Sequence, residues 1–460
     1  MKKLWVMALG SAVLLQAASL YAADIKFEGD FRVRGIYADN VTDANDDTGD
    51  EQAFADGRFR LRTTATSGIT SGVVVLDFTS SFKDPTTAGP CAAPPAGTGC
   101  TTGNYRFGSA NLGGSYNIVG VREAYLKLDL NMVKLAFGRK PFKLGHSLIL
   151  DDTMDAIVGK FVVGGLEVML ADGKLLDTNS TVATGGGATG SDTDLFIFKT
   201  GINHGDMHNL GIFVTYLLDR GPSFLPGAAL GGGGTSDSTD LWTLGLTADG
   251  KFGAINLGAE VDFLTGSADT AGAGSTSVDL KGMNVLIGVG LKVAAADVGV
   301  TALYTTGDDT TKADERNVNG ISGDFVLGNI LVNDNIVSDR EGQCASFGGG
   351  RIGSGGASCV GGAGITALKV SAGLEGVPFG KSCHTEVAAI WARTTEDLAA
   401  GADSDLGIEV DLNHRHKLDD NVAVGVNLGY LLSGDAWKAV NGTNSTDNQL
   451  KGIISLNYMF

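Results

Sequence analysis

Long apolar runs are missing from this 460-residue chain once its first twenty residues are passed. No later stretch holds the eighteen or so consecutive apolar residues that a helical membrane span requires. Positive charge is also scarce: 34 Lys and Arg stand against 52 Asp and Glu, a net charge of −18, and no Lys/Arg-rich stretch interrupts the acidic background. Nucleic-acid binding is excluded on that ground. Proline is rare, with 8 residues beside 69 glycines that show no period of three, so the chain is not collagen-like. At 43% apolar residues it is too hydrophobic for a disordered protein.

Catalytic and cofactor motifs are absent too. There is no C-x-x-C-H, so the chain attaches no c-type haem itself, and neither G-x-S-x-G nor H-E-x-x-H occurs. The histidines that lie close in sequence, His204 with His208 and His414 with His416, read as polar turn residues rather than metal ligands. The acidic stretch 43–51 departs from a calcium loop at its Gly and at Phe54. No enzyme activity, metal or cofactor is expected.

What is present begins with an export signal. Lys2 and Lys3 precede an uncharged apolar stretch, 4–20, and Ala22–Ala23 offers a small-residue cleavage point, so 1–22 reads as a signal peptide and 23–460 as the mature domain. The mature chain alternates at once. In 25–37, Ile25, Phe27, Phe31, Val33 and Tyr37 share one face, while Lys26, Glu28, Asp30, Arg32 and Arg34 share the other. The period recurs at 253–264, 405–414 and 421–432. Such strands are longer than those of soluble sheets and suit tilted membrane strands.

Connectors alternate between short and long. Turns are expected at 67–71, 131–132, 171–174, 203–208, 248–252, 294–297, 375–381 and 415–420. Loops are expected at 38–52, 84–113, 140–157, 182–192, 221–239, 265–277, 307–363, 395–404 and 433–448. Tyr37, Phe137, Trp242, Tyr304, Trp391 and Tyr430 collect at loop ends as an interfacial girdle would. The pattern predicts an all-β, transmembrane, antiparallel up-and-down barrel of eighteen strands, with sixteen as the second choice. Closure is demanded because an open edge would leave unpaired amides in lipid.

The chain ends I-I-S-L-N-Y-M-F, with Tyr458 and the terminal Phe460 on one face. This resembles the assembly signal of Gram-negative outer-membrane barrels. Residues 121–139, V-R-E-A-Y-L-K-L-D-L-N-M-V-K-L-A-F-G-R, resemble a hairpin of the alginate-export and OprD-like group of eighteen-stranded porins. The resemblance implies a multi-pass barrel in the outer membrane, placed by the barrel-assembly machinery among outer-membrane lipid. It implies a water-filled channel for passive diffusion of small hydrophilic solutes or ions, with self-association into a homo-oligomer left open. The alternative is a sheath around an exported partner such as a multihaem cytochrome.

If apolar faces meet lipid, charged faces line the bore. Arg32 and Arg34 on the first strand and Arg58, Arg60 and Arg62 on the second would then form a basic wall, partly relieved by Glu28 and Asp30. Loop 140–157 is expected to fold inward and set Asp151, Asp152 and Asp155 against that wall, producing a transverse field. Inward positions elsewhere are acidic: Glu260, Asp262, Glu409 and Asp411. In an exported chain, Cys91 with Cys100 and Cys344 with Cys359 are spaced to close local loop disulfides. Cys383 is left over and is expected to face lipid.

Overall fold

The structure, a computed structural model, describes residues 23–41, 44–48, 51–81, 117–177, 192–204, 208–220, 236–270, 277–307, 315–321, 323–333, 363–379, 382–397 and 402–460. The expected signal peptide and all four cysteines of the expected disulfides lie outside the described residues.

In chain order the strands are β1 (Asp24–Asp39), β2 (Gln52–Ser67), β3 (Thr70–Ser81), β4 (Asn117–Leu130), β5 (Val133–Leu144), β6 (Leu150–Val163), β7 (Leu166–Asp177), β8 (Asp192–His204), β9 (His208–Asp219) and β10 (Ser236–Phe252). They continue as β11 (Ile255–Thr270), β12 (Ser277–Val293), β13 (Ala296–Thr305), β14 (Glu315–Asn317), β15 (Ile365–Glu375), β16 (Cys383–Thr394), β17 (Asp405–Lys417), β18 (Val422–Ser433) and β19 (Gln449–Met459). A short helix, α1 (Trp437–Asn441), sits between the last two.

Every strand but β14 pairs antiparallel with its chain neighbours, and β1 pairs with both β2 and β19. Eighteen strands therefore close a ring with no free edge. The three-residue β14 lies within the long connection after β13 and pairs parallel with β12. The last residue completes the seam: Gly29 N–H donates to the Phe460 carbonyl at 2.9 Å, and Phe460 N–H donates back to Gly29 at 3.0 Å. The Phe460 ring lies near Tyr458 and Phe59, with centroids 5.9 and 6.4 Å apart.

The outer face is apolar because alternate residues of each strand expose large hydrophobic side chains. Phe27, Ile157, Leu170, Leu210, Val300 and Ile454 are among its exposed side chains. In strand register Phe137, Ile157, Asp172, Phe196, Tyr216 and Trp242 form one continuous row across β5 to β10. Tyr216 stacks on Trp242 at 4.4 Å. Of the residues expected to form a girdle, Phe137 and Trp242 share this row, with Ile157 and Asp172 interrupting its aromatics.

Three boundaries differ from expectation. The turn expected at 248–252 lies within β10, and that hairpin turns at 253–254, with Gly253 at φ 65°. Most of 140–157 is strand, and the connection between β5 and β6 is only 145–149. The following turn is Gly164–Gly165, with Gly164 at φ 58°, rather than 171–174. Gly-Gly is the better two-residue hairpin. The A-D-G-K stretch imitates a turn, but its glycine serves packing: a Cβ on Gly173 would lie 2.8 Å from Met154 Sδ. Cys383 also departs from expectation. It is buried, and Phe379 N–H from the adjoining turn reaches its Sγ at 3.4 Å.

The bore is not empty. Two apolar cores form inside it. The first joins inward residues of β5 to β12, such as Met154, Leu195, Phe213, Leu217 and Leu241, to Ile149, Val318 and Ile321 from the inner connections. The second joins Leu303, Ile390, Ala392, Leu406 and Leu431 to Leu148, Leu327, Ile330, Leu331 and Trp437. The Trp437 indole donates to the Leu406 carbonyl at 3.0 Å, which satisfies its one polar atom inside the core.

Candidate functional site: the channel interior

Neither core takes a residue from β1, β2, β3 or β4. That sector carries the charges. Register sets Arg32 opposite Arg58, Asp30 opposite Arg60, Glu28 opposite Arg62 and Arg34 opposite Asp56, so all five predicted arginines share the inward face. Four of them are ion-paired. Arg34 forks onto Asp56, with Nε at 2.8 Å. Arg58 reaches Asp30 at 2.8 Å, and Arg60 reaches Asp77 on β3 at 2.7 Å. Arg62 spans past β3 to grip both Glu123 oxygens on β4, at 3.0 and 2.8 Å. Arg32 has no ion pair among the described residues, and its Nε is buried without a hydrogen-bond partner.

The expected basic wall is thus a ladder of paired charges. Asp30 provides the expected relief, and Asp56, Asp77 and Glu123 add to it from β2, β3 and β4. Asp56 shares its parity with Arg58, Arg60 and Arg62, a signal visible in the sequence. Asp77 holds the inward parity of Val73 and Val75 on β3. Glu123 is harder to place, because a bulge beside Arg122 shifts the register between Val75 and Leu76.

The three aspartates assigned to a constriction loop lie on β6 instead. Asp155 is exposed and faces outward, opposite Arg139 and in line with Ile157, with Arg139 Nη1 at 3.4 Å. Asp151 shares that parity and accepts from Ser147 Oγ at 2.8 Å. Asp152 has the opposite, inward parity, opposite Phe142. They do not come together as one charged row.

Other residues narrow the bore. Connection 145–149 leaves β5 and β6 and crosses to the far wall. There His146 donates its backbone N–H to Glu260 on β11, and its ring nitrogens lie 2.8 Å from Glu260 and 2.9 Å from Asp249 on β10. The Glu260 hydrogen bond, reinforced by Asp249, pushes the His146 imidazole up to about 9 against the cost of its burial. The long connection after β13 meets the first one: Ile321 N–H donates to Ile149 at 2.9 Å, and Asp324 N–H to Ser147 at 3.0 Å. It then turns at 327–333 against β17, where Glu409 accepts three backbone N–H groups, from Asn329, Ile330 and Leu331, at 2.8, 2.7 and 2.7 Å.

Three of the four predicted inward carboxylates, Glu260, Glu409 and Asp411, thus hold these loops, while Asp262 accepts from Asn284 on β12 at 3.3 Å. Glu260, Asp262, Glu409 and Asp411 are all buried. Glu260 and Asp262 lie halfway round the ring from the arginines of β2, but beneath 145–149 rather than facing open water. Among the described residues, no group of three or more His, Cys, Asp or Glu could hold a metal ion.

No family model matches the chain, and no curated protein matches it in sequence. Solved structures do match in fold. OpdK of Pseudomonas aeruginosa, crystallised with vanillate, aligns at TM-score 0.54 and 12% identity, over 95% of this chain and 98% of its own. OccAB1 of Acinetobacter baumannii aligns at TM-score 0.55 and 11% identity, over 95% and 96%. OccK9 (OpdG) of Pseudomonas aeruginosa aligns at TM-score 0.55 and 15% identity, over 95% and 98%. The shared feature is the architecture of the closed barrel, over nearly the full length of each chain.

Proposed function

We propose that this protein is an outer-membrane porin that passes small hydrophilic solutes or ions by passive diffusion along the β1–β4 wall. One observation carries the reading. The two inner cores fill the bore between β5 and β18 and take no residue from β19 or from β1–β4, the strands that carry the arginine ladder and its partners. Water and ions stay where the wall solvates them, and the path follows the charge ladder. The ladder pairs most of its arginines with carboxylates, which favours weak overall selectivity, with Arg32 as the cation least compensated. OpdK was crystallised with vanillate, a small aromatic carboxylate, and a solute of that size and charge is a suitable first probe.

A sheath around a folded partner is disfavoured, because the chain's own connections cross the bore and pack against its far wall. The test is single-channel recording of the refolded mature barrel in planar bilayers, with salt gradients and added small carboxylates or sugars. Discrete conductance steps with low, salt-dependent selectivity are expected. A fully folded barrel that never conducts overturns the proposal.

A further inference from the structure

Two inward strands repeat one short motif. Glu260-Val261-Asp262 lies on β11, and Glu409-Val410-Asp411 lies on β17. In each, the valine points outward and the two carboxylates point into the bore, where an ordinary pore-lining carboxylate would be wet. Here all four are buried, and each glutamate holds a different inner connection. Glu260 takes the backbone and ring N–H of His146 from 145–149. Glu409 takes three consecutive backbone N–H groups from 327–333, and Asn329 adds side-chain bonds to Asn413 Oδ1 and the Leu428 carbonyl, both at 3.0 Å.

Each glutamate also faces a glycine that makes room for it. A Cβ on Gly328 would lie 2.6 Å from Glu409 Oε2, and a Cβ on Gly145 would collide with the Glu260 carboxylate. Backbone therefore approaches a buried carboxyl group closely at both places, and the amides of the connection converge on its oxygens. We propose that Glu260 and Glu409 are positioning residues that set the width of the channel, each latching one inner connection across the bore. This rests on the porin reading and deepens it: the ladder supplies the wetted wall, and the latches fix how much of the remaining bore stays filled.

The chemistry makes the latch sensitive to hydrogen-bonding capacity rather than size. A glutamine at Glu409 has nearly the same shape but replaces one acceptor oxygen with a donor, which would confront a backbone N–H and leave it unpaired. Segment 327–333 would then lose its anchor while its apolar residues Leu327, Ile330 and Leu331 still favour the core. The channel should fluctuate between a filled and a wider state.

The experiment records single channels of the full mature barrel as wild type, Glu409→Gln, Glu260→Gln and Asn329→Ala. Asp435→Asn on the exposed loop before α1 serves as control. Heat-modifiable migration confirms that each variant has closed its barrel; if Glu409→Gln does not close, Asn329→Ala is read in its place, and if Glu260→Gln does not close, His146→Ala is. The latch variants should show added conductance substates and a mean conductance raised roughly twofold, with the control unchanged. Wild-type steps that persist unaltered in closed latch variants overturn this inference and leave the porin reading standing. A closed wild-type barrel with no conductance overturns both.

Discussion

The sector β1–β4 and the arc β5–β18 are parts of one continuous sheet, yet their inward faces follow different rules. In the first, a partly wet row of arginines runs beside the buried Ile36, Ala38, Val73 and Val75, and each of the five arginines but Arg32 is matched by a carboxylate on a nearby strand. In the second, the loop-side half of the inward face is apolar and dry. On β9, Phe213 and Leu217 are buried inside while Leu210 and Ile212 are exposed outside, so that strand is apolar on both faces. The lesson is that the inside of a barrel is not one environment. Alternation survives only where water stays, and vanishes where the chain folds back on its own wall.

The contrast should be largest in stability. Trp437→Ala removes the largest buried side chain of the second core and its bond to Leu406. A loss of about 3–5 kcal/mol is expected from a cavity of that kind. Arg60→Ala in the wet sector breaks one partly exposed pair with Asp77, and a loss on the order of 1 kcal/mol is expected. Urea titration of the refolded barrel in detergent compares the two. Equal losses would mean that the filled arc is not packed as a core.

Selectivity should invert the ranking. Asp56→Asn, Asp77→Asn and Glu123→Gln together unmask Arg34, Arg60 and Arg62 without emptying the wall. The anion-to-cation permeability ratio should rise by about two- to fivefold, since charge in a narrow low-dielectric passage is weakly screened. Arg58, Arg60 and Arg62 changed to Glu should shift the reversal potential in the opposite direction. If neither set moves it, ions do not pass along the ladder.

Much of this was legible in the residues. Hydrocarbon outside every strand imposes one consistent apolar parity, so strand number and the closing strand could be read from period two. The arginine face was legible for the same reason. The lower legibility of 140–177 has a local cause: both faces of β6 and β7 carry apolar residues, and A-D-G-K imitates a turn where Gly173 only makes room for Met154. The partners of the arginines were harder to foresee, because pairing depends on register across strands. Asp77 meets Arg60 only once β2 and β3 are aligned, and Glu123 meets Arg62 only across a bulge. The acidic pairs of β11 and β17 were visible as inward carboxylates. Their task was not, because it depends on loops that cross the bore.

The smallest effect is expected at Asp155, which separates the two sides of the wall most cleanly. Its strand register sets it beside Arg139 and in the parity of Ile157 and Phe161, both exposed on the outer surface. The pair with Arg139 is long, at 3.4 Å, and the aspartate is 61% exposed. Asp155→Asn should therefore change stability by less than about 0.5 kcal/mol, in the range of exposed ion pairs. Conductance and reversal potential should not change, because the charge lies behind the wall rather than in the path. Recording the variant beside Glu123→Gln sets one carboxylate from each face against the other. A selectivity shift from Asp155→Asn would place that charge in the water path and reverse the facing of β6, and with it the division between the filled arc and the wet sector.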